Sequence, residues 1–129
     1  MPPQPVPFRP IDAYKQIIDG LVEDSRSIHG RLVVEEGIYS RAEGSEHLNA
    51  FVRSLTPDQR ALLREMFDAE RQSGIGSTLS LLTWWKVCRE LAFTYRGEIM
   101  PVELSGMGLE GDYVGRLQGW QWPPDPAEA

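Results

Sequence analysis

Residues 78–95 read Thr78-Leu79-Ser80-Leu81-Leu82-Thr83-Trp84-Trp85-Lys86-Val87-Cys88-Arg89-Glu90-Leu91-Ala92-Phe93-Thr94-Tyr95. Apolar residues at Leu81, Trp84, Trp85, Cys88, Leu91, Ala92 and Tyr95 recur with the rhythm of one face of an α-helix. Leu79, Leu82, Val87 and Phe93 widen that face on both sides. Ser80, Thr83, Lys86, Arg89, Glu90 and Thr94 are left for water. A helix this apolar needs covering by others, so 78–95 is predicted to be the central core helix, with its Trp pair supplying much of the burial. Neighbouring residues diverge by ~100° around a helix. Trp84 and Trp85 therefore cannot pack alike: one can fill the core while the other reaches a groove or a partner.

Working back from this helix, Ser73-Gly74-Ile75-Gly76-Ser77 predicts a turn or sharp kink, with Ser77 as the cap of the central helix. Before it, Thr56-Pro57-Asp58-Gln59 is a strong start signal: a Thr cap, Pro at the first position, and Gln reaching back as a capping box. It opens a helix over 57–73 with Leu62, Leu63, Met66, Phe67 and Ala69 inward. Ser45 and Glu46 start a short helix over 46–54, and 35–44 reads as a loop. Pro10 begins a helix expected over 10–34, weakened by Gly20 and Gly30, whose stripe includes Ile11, Tyr14, Ile18, Leu21 and Leu32. Forward of the central helix, β-prone residues flank Arg96-Gly97 in 93–102 and predict a small hairpin, its second strand held to an edge by Pro101. Glycine-rich 105–111 reads as a loop. Asp112 is expected to cap a last short helix, 112–119.

The expected architecture is mainly α: a single-domain bundle of four to five helices with a small C-terminal hairpin. Residues 1–9 form a Pro-rich flexible arm, 10–122 the helical domain, and 123–129 a Pro/acidic tail. The arm is a polyproline ligand for an aromatic groove, a disordered tail, or an arm lying on this protein's own tryptophans.

The 129-residue chain carries 13 basic and 19 acidic residues, for a net charge of −6. That balance disfavours nucleic acid and anionic membrane surfaces, which call for basic patches. Cys88 is the single cysteine, so no internal disulfide forms. Its apolar setting predicts a buried, inert thiol and a cytoplasmic location.

Four segments then resemble a family of small bacterial, mostly helical proteins of unknown function: Ser54-Leu55-Thr56-Pro57-Asp58-Gln59-Arg60, Glu70-Arg71-Gln72-Ser73-Gly74-Ile75, Ile99-Met100-Pro101-Val102-Glu103, and Asp112-Tyr113-Val114-Gly115-Arg116 ahead of Trp122-Pro123. The resemblance spans most of 11–123 and leaves out the N-terminal arm and the Trp84-Trp85 pair. It implies a helical bacterial protein and carries no activity or catalytic residues.

For chemistry, Glu43-x-x-Glu46 and Glu65-x-x-Asp68 have a spacing that resembles the all-helical nucleoside-triphosphate pyrophosphohydrolases. Those enzymes use four carboxylates to hold Mg²⁺ against a triphosphate. Gly44-Ser45 and Pro57 break the helices that such a site requires. His29 and His47 lack metal-ligand spacing. Gly106-x-Gly108-x-x-Gly111 stands outside any βαβ unit, so it reads as a loop; a ligand pocket beside it is a further possibility. Chemical signals are thus weaker than fold signals. The leading expectation is a non-enzymatic protein-interaction module, with no cofactor, binding an unidentified protein partner or itself, with neither nucleic acid nor membrane as partner. Trp84, Trp85, Trp120 and Trp122 are the candidate contact residues; Mg²⁺-dependent hydrolysis by Glu43, Glu46, Glu65 and Asp68 is the alternative.

Overall fold

The structure, a computed structural model, describes residues 8–125. Most of the proline arm and the end of the tail, residues 1–7 and 126–129, lie outside the described residues. Among the described residues, five helices and one hairpin come in the order α1 (Pro10–Glu23), α2 (Ile28–Glu36), α3 (Glu46–Ser54), α4 (Pro57–Arg89), β1 (Thr94–Tyr95), β2 (Glu98–Ile99) and α5 (Gly108–Leu117). The chain is mainly α, as the periodicity predicts. The described residues form two compact units: one is Glu23–Ile75, the other takes in 8–22 and 76–125.

In the Glu23–Ile75 unit, the helix expected over 10–34 gives way to two. Ser27 breaks it, because its hydroxyl accepts the Gly30 N–H at 3.3 Å as the N-cap of α2. From α4, Asp68 accepts the Ser27 N–H at 2.7 Å and Arg71 donates to the Asp24 carbonyl, so the turn is held by residues far along the chain. Gly37 ends α2 at φ 68°, a left-handed conformation that suits glycine. The loop between α2 and α3 is organised by Asn49, which accepts the N–H groups of Tyr39 and Ser40 and donates to the Ser40 carbonyl. Helix α3 has the predicted bounds, although Ser45 makes no side-chain cap. Leu32, Val33 and Val52 are buried.

The capping box predicted at the start of α4 forms: Thr56 N–H donates to Gln59 at 2.9 Å, and Gln59 N–H donates to the Thr56 hydroxyl at 3.2 Å. The turn expected at 73–77 does not form. Helix α4 runs unbroken through Gly74 and Gly76 for 33 residues. Two helical glycines cost ~1 kcal/mol each, and no proline stands there to force a break. The protected positions Asp68, Gln72, Ile75, Leu79, Leu82 and Lys86 continue at helical spacing across both glycines.

In the other unit, α4 ends at Arg89 rather than Tyr95. Glu90 adopts φ 60° and the Leu91 N–H closes onto the Trp85 carbonyl at 3.2 Å. The hairpin then forms where expected, pairing Thr94 with Ile99 and Tyr95 with Glu98. Arg96 and Gly97, at φ 51° and 82°, make the mirror-image turn that matches strand twist. Helix α5 starts four residues before the predicted Asp112 cap, so Asp112 lies mid-helix and fully buried. Ala13, Tyr14, Ile18, Leu79, Met100, Leu109 and Tyr113 form the core of this unit.

Candidate interaction surface

The last turns of α4 have one packed side and one open side, and the packed side is not the one centred on Leu81, Trp84, Trp85 and Cys88. Thr83 and Lys86, assigned to water, are half-buried. The Thr83 hydroxyl accepts the Leu109 N–H at 3.0 Å and lies 2.7 Å from Glu110. It thereby caps α5, whose N-cap residue Met107 offers no side-chain bond. Lys86 pairs with Glu103 at 2.9 Å. Leu79 and Leu82 line a wholly apolar cavity of about 90 Å³ with Phe93, Met100 and Leu109.

Behind this side sits a polar knot. Asp112 accepts the N–H groups of Leu104 and Ser105, each at 2.8 Å, and the phenol of Tyr14. The Glu103 N–H approaches the Tyr14 oxygen at 3.4 Å. Burial, and then the hydrogen bond to Asp112, push the Tyr14 phenol well above its ordinary pKa. The group is therefore a neutral donor fixed in place, which suits a structural tie.

The open side carries Leu81 at 58% exposure, Trp84 and Trp85 at 47% each, Val87 at 68% and Leu91 at 39%. The expected core face is thus the exposed face. Cys88 is exposed as well, not buried. Trp84 and Trp85 meet edge to face with centroids 5.7 Å apart, and the Arg89 guanidinium lies 5.8 Å from the Trp84 ring. From Arg71 to Arg89 the chain has no carboxylate. Leu81, Trp84, Trp85 and Cys88 stand at i, i+3, i+4 and i+7, one continuous helical seam.

Trp120 and Trp122 are half-buried and tied into the same unit. The Trp122 indole donates to Asp19 at 3.0 Å, and Arg116 bonds the same carboxylate at 2.7 Å while lying 5.2 Å from the Trp122 ring. Trp120 packs over Gly115, where a Cβ would meet the indole at 3.3 Å.

In the Glu23–Ile75 unit, Glu43, Glu46 and Glu65 are exposed, on the loop before α3, the first turn of α3 and α4 respectively. Asp68 is engaged by Ser27. Among the described residues no three His, Cys, Asp or Glu side chains gather as a metal ion would need. His47 is exposed. His29 stacks on Tyr39 with centroids 4.3 Å apart, and its Nδ1 lies 2.8 Å from the Tyr39 carbonyl. With Phe67, Glu70 and Arg71 they border an open groove of about 250 Å³. Sequence reasoning misses this stack, because nothing local links residues 29, 39 and 67.

A model of a family of unknown function matches residues 8–124. The chain belongs to that family, DUF6547. No curated protein and no solved structure matches. The DUF6547 span takes in all five helices and the hairpin, and it runs through Trp84 and Trp85. The small helical family read from the four segments is thereby upheld as one of unknown function. Among the described residues no helix is long and apolar enough to cross a membrane.

Proposed function

We propose that this member of DUF6547 is a bacterial, cytoplasmic association module that binds a second copy of itself through the open side of α4. One observation carries the reading: two tryptophans, a leucine and a valine stand 47–68% exposed on one stretch of helix. Contiguous apolar surface of this kind is characteristic of interaction sites, whereas scattered single residues are not. Covering Leu81, Trp84, Trp85, Val87 and Leu91 in both copies removes on the order of 1,000 Å² from water. That is the size of a weak, reversible interface, below the ~1,200 Å² at which permanent ones begin. The stretch lacks carboxylates in a chain of net charge −6, so two copies meet there without acidic repulsion. An exposed single thiol at Cys88 suits a reducing compartment.

Hydrolysis with Mg²⁺ has less support, since Asp68 already accepts the Ser27 N–H. The test is co-purification of two differently tagged full-length copies. The wild type is expected to recover both tags, and Trp84→Ser with Trp85→Ser only one. Recovery of both tags by the double variant, or of one tag by the wild type, would contradict the reading.

A further inference from the structure

We infer that the two copies dock their α4 helices antiparallel, with the two-fold axis between Trp84 and Trp85, so that Leu81 of one copy packs on Cys88 of the partner subunit. This rests on the self-association proposed above and names its geometry.

The seam is symmetric about that point. Leu81 and Cys88 lie three and a half residues to either side of it, close to the midline of the face, and the two indoles flank the midline on opposite edges. Reversal of the helix about the axis puts each Leu81 opposite the partner's Cys88. It places Trp84 beside the partner's Trp84, and Trp85 beside the partner's Trp85. Large side chains thus meet at the centre and smaller ones at the ends. The antiparallel pair also opposes the helix dipoles favourably. Phe93, Met100 and Leu109 pack against Leu79 and Leu82, on the side away from Leu81.

Facing positions are close enough for a disulfide. Helix axes ~10 Å apart, with Cα atoms ~2.3 Å off axis, leave facing Cα atoms about 5–6 Å apart. Residues 81 and 88 of one helix are about 10 Å apart and cannot bridge. Like positions in the two copies, 81 with 81 or 88 with 88, are offset by the same ~10 Å along the axis.

The experiment is mild oxidation of full-length Leu81→Cys, with wild type and Leu81→Cys/Cys88→Ser alongside, read on non-reducing gels and by peptide mass mapping. Sedimentation of each reduced sample runs in parallel. Leu81 is exposed, so the variant keeps its fold. The expected result is a covalent dimer joined 81 to 88 in Leu81→Cys, at least about tenfold above both controls. Dominant 88-to-88 linkage in the wild type would overturn the antiparallel register in favour of a parallel one. Sedimenting dimers that form no 81-to-88 bond would overturn the register and leave self-association standing. Monomers at every concentration would overturn both.

Discussion

Thr83 and Trp84 are neighbours in the chain and opposite in fate. Thr83 is half-buried, bonded to Leu109 and Glu110; Trp84 stands half in water. The same contrast separates Lys86, paired with Glu103, from Trp85 and Val87. What faces inward on this helix is decided by which side the chain can satisfy with hydrogen bonds and caps as well as with apolar contact. The more hydrophobic side is left over, and that surplus is what an association surface consists of.

Breaking the packed side has the largest expected effect. Asp112→Ala strands two backbone N–H groups and the Tyr14 phenol in the interior; a loss of about 3 kcal/mol or more is expected in urea unfolding. Tyr14→Phe keeps both backbone bonds and is expected to cost about 1–2 kcal/mol. It also carries a pH signature. The folded phenol holds its proton above the ordinary value, so its stabilisation is full below the unfolded pKa of ~10 and is lost as pH rises beyond it. Unfolding curves between pH 9 and 11 are expected to fall more steeply for the wild type than for Tyr14→Phe. An equal slope would show that burial and Asp112 do not raise the folded phenol above its ordinary value.

Thr83→Ala, which removes the cap of α5, is expected to cost about 1 kcal/mol. On the open side the effect on folding shrinks to nothing. Trp84→Ser with Trp85→Ser, measured at concentrations where the chain is monomeric, is expected to stay within about 0.5 kcal/mol of the wild type. A large destabilisation would mean that the tryptophans belong to the core after all.

Local signals are legible in the sequence. The Thr56–Gln59 box, the 46–54 helix and the Arg96-Gly97 turn each depend on residues within a few positions, and each forms. Signals that depend on distant partners are not legible. Ser27 becomes a cap in a turn held by Asp68 and Arg71, and Asp112 leaves its expected cap for a buried post beneath Tyr14. Gly74 and Gly76 read as a break, yet protected positions on either side keep helical register through them. The four tryptophans stand out as candidates, but not which side of α4 its pair would occupy. Apolar periodicity marks a face that leaves water, whether for the core or for a partner, so it does not distinguish the two.

Sedimentation equilibrium tests the central claim most directly. Full-length wild type and Trp84→Ser/Trp85→Ser are compared from ~1 to ~100 μM, which brackets micromolar dissociation constants. The wild type is expected to rise from the monomer mass toward twice that mass, and the double variant to require at least ~30-fold more protein to do so. A wild type that stays monomeric throughout, or a double variant that associates equally well, would contradict the assignment of the open side of α4 as the contact surface.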